Sequence, residues 1–155
     1  MRKWILLLLA GLLLALAACA GKPAEKPPLP APAALAEELL ASGAFSDALE
    51  PAELRVGCYL YGLEETSAEE MVFYLSSGAT AEEIAVFRCA GPEAAEAVVA
   101  AARARLDFQA ASYADYAPDE VPKLERAALR TVGNTVVLCV SADDGKRDGV
   151  LDRYS

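Results

Sequence analysis

Histidine is absent from the 155 residues of this chain. Its absence removes the commonest general base, the Ser-His and Cys-His nucleophile pairs, and imidazole metal ligands. Cysteine is scarce: Cys19 stands near the start, and only Cys58, Cys89 and Cys139 follow. Their spacings match neither a zinc site nor a Cys-x-x-Cys redox motif. Positive charge is short as well, with 14 Lys and Arg against 23 Asp and Glu and a formal charge of −9. Such a surface repels nucleic acid and anionic lipid head groups. No Gly-rich phosphate loop, Ser-x-x-Lys or Gly-x-Ser-x-Gly element occurs, so phosphate-cradling and serine-acylation chemistries have no foothold. Beyond residue 19 no run approaches the roughly 18 charge-free residues of a membrane-spanning helix. The sequence implies no cofactor and no metal. It leans away from an enzyme, although carboxylate, lysine or tyrosine chemistry stays open.

What is present starts with Arg2 and Lys3, an uncharged run from Trp4 to Ala15, and then Leu16-Ala17-Ala18-Cys19. A basic start, an apolar middle and a small-residue end make a secretory signal. The cysteine after Leu-Ala-Ala resembles a bacterial lipobox, which implies removal of residues 1–18 and a diacylglyceryl group on the Cys19 thiol. Losing Arg2 and Lys3 takes the formal charge from −9 to −11. The expected location is the extracytoplasmic face of the cell membrane, held by lipid and not by charge.

From Gly21 to Pro32 five of twelve residues are proline, the composition of a stiff polyproline tether. At about 3.1 Å per residue it holds a domain up to roughly 35–40 Å from the lipid. Residues 19–32 are therefore read as lipidated cysteine and tether, and residues 33–155 as one domain.

Within that domain, Leu35, Leu39 and Leu40 face away from Glu37 and Glu38, giving a short amphipathic helix over Ala33–Ala41. Leu54, Cys58 and Tyr61 at helical spacing, with Pro51 as first helical residue, give a second helix over Pro51–Gly62. Ser67-Ala68-Glu69-Glu70 and Thr80-Ala81-Glu82-Glu83 are echoes of one another. Each precedes a β-branched and aromatic run, Met71–Leu75 and Ile84–Cys89, read as an antiparallel hairpin. A helix from Thr80 to Cys89 is the competing reading. Pro92–Ala111 is the clearest helix, its stripe running through Ala95, Val98, Ala102, Leu106 and Gln109. Tyr113, Tyr116, Pro118 and Pro122 then mark an irregular excursion. Ala127–Val132, Gly133-Asn134 and Thr135–Val140 make a second hairpin, its two-residue turn wanting positive φ. A short helix through Val150 and Leu151 closes the chain. The order α-α-β-β-α-β-β-α implies an α+β fold, an antiparallel sheet of about four strands in two hairpins with helices on one face.

Candidate chemistry is thin. Glu64-Glu65, Glu69-Glu70 and Glu82-Glu83 offer carboxylates to a hard cation, yet as solvated starts of elements they need none. In Asp143–Gly149, a calcium loop begun at Asp144 would place Lys146 third and Ser155 twelfth, where acids are required. Tyr113 and Tyr116, beside Ser112 and Asp115, suit a sugar or a partner chain, or simply pack on the sheet rim. Cys89 and Cys139 each end a strand, so a bridge between them is one reading, and three small buried hydrophobes the other.

Gly78-Ala79-Thr80-Ala81-Glu82-Glu83-Ile84-Ala85-Val86-Phe87, Tyr116–Leu124 and Gly133–Leu138 resemble the signature of a family of small bacterial lipoproteins, domain of unknown function 4358. The resemblance implies an exported, anchored domain over most of Ala33–Tyr154 and brings no catalytic or binding residue. The expected function is a binding or interaction module at the cell envelope, with an envelope protein or ligand as partner. An envelope enzyme or enzyme inhibitor is the alternative. A pocket holding two convergent carboxylates would favour the enzyme, and an exposed tyrosine patch the binder.

Overall fold

The computed structural model describes residues 26–155. The leader, the box at Cys19 and the first residues of the proline-rich segment lie outside the described residues. Among the described residues no helix is long and apolar enough to cross a membrane.

The chain enters through α1 (Pro32–Ala41), with Pro32 in the first turn, where its missing N–H costs nothing,. Pro32 is buried and Leu29 packs on the core. The fold therefore begins a few residues before Ala33, because the last prolines of the tether dock on it. A two-residue strand, β1 (Glu50–Pro51), precedes α2 (Leu54–Tyr61). Pro51 is thus not the first helical residue; it pairs with Tyr74 in the sheet. Helix α2 ends at Gly62, whose φ of 63° is the left-handed conformation that terminates helices,.

β2 (Glu70–Leu75) and β3 (Glu83–Arg88) form the first hairpin. The helix from Thr80 to Cys89 does not form. Then α3 runs from Pro92 to Tyr116, one turn and more beyond the expected end. It stops because Pro118 forces Ala117 out of helical geometry, to φ −147°,. The expected excursion over Tyr113 and Tyr116 is therefore helical. A 3-10 turn (Pro118–Glu120) and α4 (Val121–Glu125) lead into β4 (Ala128–Val132), β5 (Thr135–Val140) and α5 (Asp144–Leu151). Asp143 caps α5 by accepting from the Lys146 N–H at 3.1 Å, so the calcium-loop-like stretch is a capped helix,.

The sheet is antiparallel with five strands in the order β1-β2-β3-β5-β4. The two hairpins merge through β3 and β5, with Phe87 opposite Val136 and Ile84 opposite Cys139. The expected four strands miss β1, which is too short and too polar to register as a strand in sequence. The expected helices on one face also require correction. Ala85, Phe87, Val136 and Leu138 pack under α2 and α3, while Ile84, Val86, Val137 and Cys139 pack under α1 and α5. Both faces are covered, and β5 is buried at every residue. That burial explains why Val136–Val140 is a continuous apolar run.

On the α2–α3 face, Tyr61, Phe73 and Phe87 meet with ring centroids 5.3–5.5 Å apart, two of the three contacts edge-to-face,. Helix α2 comes close enough because Gly57 has no side chain: a Cβ there would sit 2.1 Å from the Phe73 ring.

Candidate functional site

Glu82 and Glu83 stand at the start of β3, and both are almost fully buried. They are not the solvated carboxylates their sequence setting suggests. Successive strand residues point to opposite faces, so the two enter separate networks. Glu82 accepts from the backbone N–H of Ser46 at 2.9 Å and of Asp47 at 3.0 Å, and from the Ser46 hydroxyl. Lys123 on α4 donates to it at 3.0 Å and pairs equally with Glu120. Glu120 in turn accepts from the Ala81 N–H at 2.9 Å. Burial alone would raise the Glu82 carboxyl, but the bonds from Ser46, Asp47 and Lys123 outweigh it and hold it below the usual carboxylate value,. Burial likewise opposes the Lys123 charge, and its two carboxylate partners reverse that and raise it.

Glu83 points under α2 and α3. It accepts from the Tyr61 hydroxyl, from Arg105 Nη2 at 2.9 Å and from Gln109 Nε2 at 2.8 Å. Burial and then the neighbouring carboxylate push the Tyr61 hydroxyl well above its ordinary value, so it stays a donor. The Nε2 bond fixes the Gln109 amide, whose Oε1 is buried with no protein partner among the described residues.

Arg105, Gln109 and Tyr113 recur every four residues on α3 and so share one stripe. Together with Ser76, Thr80 and the two glutamates they line a cleft of about 100 Å³. Tyr113 is buried there and donates to the Thr80 carbonyl. Burial first, and then Tyr116 beside it, raise its hydroxyl. Tyr116 stacks on Tyr113 with centroids 4.9 Å apart but is 60% exposed. The two tyrosines are thus together in space and unequal in role: one locks α3 to the first hairpin, the other faces solvent.

Cys58, Cys89 and Cys139 are free and buried. Cys89 packs on the α2–α3 face and Cys139 on the α1–α5 face. The sheet lies between them, so the bridge from Cys89 to Cys139 does not form. Burial pushes the Cys139 thiol up to about 12. Among the described residues no three His, Cys, Asp or Glu side chains group as metal ligands. Glu69 and Glu70 instead pair with Arg88, at 3.7 and 2.9 Å. Cys19 lies outside the described residues.

What this arrangement can do follows from its bonding. Glu82 and Glu83 both border the cleft, but their oxygens are saturated by donors from the chain, so neither is left free to act on a substrate atom. Apart from the buried Gln109 Oε1, the features left for a partner are on the surface. Tyr59 on α2 and Phe108 and Tyr116 on α3 are large, apolar and exposed. A second cavity of about 280 Å³, mostly apolar, opens between Pro92, Ala95, Glu96 and Val99 of α3 and Thr131 and Gly133 of the second hairpin. The burial of Glu82 and Glu83 was missed in sequence, since a Glu-Glu pair reads as solvent-facing. The one signal was position: Glu82 precedes and Glu83 opens a strand buried on both faces.

A family model described as Domain of unknown function (DUF4358) matches residues 52–141. That span runs from just after β1 through β5 and covers four of the five strands, with both buried glutamates. No curated protein and no solved structure matches the chain.

Proposed function

The chain belongs to the DUF4358 family, whose description assigns no activity, and from its own chemistry we propose an exported, lipid-anchored interaction module of the cell envelope. The observation that carries binding over catalysis is the saturation of Glu82 and Glu83 by chain donors on opposite faces. The chain has no histidine, so the commonest general base is missing. The exposed aromatics Tyr59, Phe108 and Tyr116 are of the type that dominates contact energy in protein recognition. The anchor is supported by the order of its parts: Arg2 and Lys3, the apolar run, then Leu16-Ala17-Ala18-Cys19. A thioether-linked diacylglycerol supplies two chains, enough for stable attachment where one is marginal, at about 0.8 kcal/mol per buried CH₂.

The test is metabolic labelling with palmitate in intact cells. Cys19→Ala is expected to abolish incorporation and to leave a precursor or a released protein. Undiminished label in that variant overturns the anchor.

A further inference from the structure

The two edges of the sheet are treated differently. At β1 the edge strand is two residues long and carries Pro51, which has no N–H to offer an incoming strand. At β4 nothing among the described residues blunts the edge. The turn Gly133-Asn134 sets Val132 opposite Thr135 as the first hydrogen-bonded pair, so Arg130 and Ala128 also bond inward to β5,. The N–H and C=O groups of Leu129 and Thr131 therefore point out of the sheet, and β4 is its last strand. Thr131 is exposed. Arg130, the one charge on this strand, is tied to Asp148 at 2.8 Å and to Asp152 at 2.5 Å. It does not guard the edge.

Beside that edge lies the cavity of about 280 Å³ between α3 and the second hairpin. Leu129 and Thr131 oppose Leu138 and Val136, so their side chains stand on the same face as α3. An open edge strand with a helix alongside and an apolar hollow between them is how strand addition works. Main-chain bonds give affinity, and the hollow selects alternate side chains.

We infer that the β4 edge and the hollow beside α3 form a docking groove for an extended segment of a partner protein. The inference rests on the interaction-module reading and not on the anchor. A segment pairing with β4 places the residue opposite Thr131 on the α3 face, over the hollow, which takes a leucine- or phenylalanine-sized side chain. The residue two positions on shares that face and meets Glu96, which lines the hollow. With Glu93 in the first turn of α3 and a chain charge of −9, that residue is a lysine or arginine. The same charge disfavours a second copy of this acidic chain as the occupant.

The probe is a ten-residue synthetic peptide with leucine and lysine alternating along one strand face, titrated into the full chain and followed by amide hydrogen exchange. Exchange at Leu129 and Thr131 is expected to slow by about tenfold or more, with Arg130, already bonded inward, unchanged. Replacing the peptide lysines by glutamates is expected to remove the effect, and Glu96→Lys to reverse that preference. Thr131→Pro removes an outward N–H at an edge position that tolerates proline, and it is expected to abolish protection. Should that variant fail to fold, N-methylation of the peptide amides that face β4 makes the same cut from the other side. No protection at millimolar peptide overturns the groove, and so does protection of Leu129 and Thr131 by self-association without peptide. Capture of one envelope protein in cells that persists unchanged in Thr131→Pro overturns the groove while leaving the interaction-module reading standing.

Discussion

Glu83 gathers donors from two helices, Tyr61 on α2 and Arg105 and Gln109 on α3, onto one carboxylate at the head of β3. A carboxylate so buried is tolerable only because its donors are charged or rigidly placed. The ion pair with Arg105 is itself shielded, the two side chains being 2% and 10% exposed. Removing one partner strands the other. Glu83→Leu is expected to cost about 3–5 kcal/mol, because Arg105 is left buried and unpaired. Arg105→Leu is expected to cost a similar amount for the opposite reason. The double variant Glu83→Leu/Arg105→Leu is expected to cost less than the sum of the singles by about 1–3 kcal/mol. Urea titrations at constant m measure all three. Strict additivity would mean that Tyr61 and Gln109 hold the carboxylate without Arg105. Glu82 performs the corresponding task on the other face, tying the Ser46–Asp47 loop and α4 to the same strand.

Among the elements, the β4–β5 hairpin depends most on a single residue. Gly133 has φ 58°, and Asn134 is not in the positive-φ region. This is the pattern of a turn that needs glycine at its first central position only. No neighbour lies within 4 Å of a Cβ built at Gly133, so the constraint is backbone strain and not crowding. Gly133→Val is expected to destabilise by about 1–3 kcal/mol, and Gly133→Asn by less. A neutral Gly133→Val in thermal melts would mean that the hairpin is not held by its turn. This hairpin was legible in sequence because turn and strands carry concordant signals. The first hairpin was legible for its β-rich runs, despite a helix-like Thr-Ala-Glu-Glu start. Elsewhere local signals misled. Pro51 fits a first helical residue as well as an edge strand, and only pairing with Tyr74 decides. Tyr113 and Tyr116 read as an irregular excursion beside Pro118 and Pro122, whereas the helix runs on to Tyr116 and Tyr113 reaches the Thr80 carbonyl, 33 residues away in sequence. Cover on both faces was written in the unbroken runs Ile84–Phe87 and Val136–Val140, which an alternating, half-exposed strand would not show. The cleft was not legible, because Glu83, Arg105, Gln109 and Tyr113 belong to elements whose packing no local pattern encodes.

At the scale of the whole molecule, the composition predicts an unusual pH response. Stability depends on pH wherever a group binds protons differently folded and unfolded. The chain has no histidine, so the side chain that ordinarily titrates between pH 5 and 8 is missing. On the acid side, Glu82 and Asp148 are held below their ordinary values. Their contribution is present above the unfolded carboxylate range, about 3.9–4.3, and is lost as pH falls through their folded values. On the alkaline side, burial raises the thiols of Cys58, Cys89 and Cys139. Their contribution is complete below the unfolded thiol value, about 8.5, and is lost as pH rises, because the unfolded chain then releases protons that the folded chain keeps. Tyr61 and Lys123, both raised, add their loss above about pH 10. The thermal midpoint is therefore expected to be flat from about pH 5 to 8 and to fall on both sides. The alkaline fall should begin near the thiol range and not at the tyrosine range. Cys139→Ala should make that fall shallower, since the most deeply buried thiol no longer contributes while Cys58 and Cys89 still do. Midpoints measured in half-unit steps across pH 3–11 decide the matter: a slope through pH 6–7.5 would require a titrating group that the buried networks of this fold do not contain.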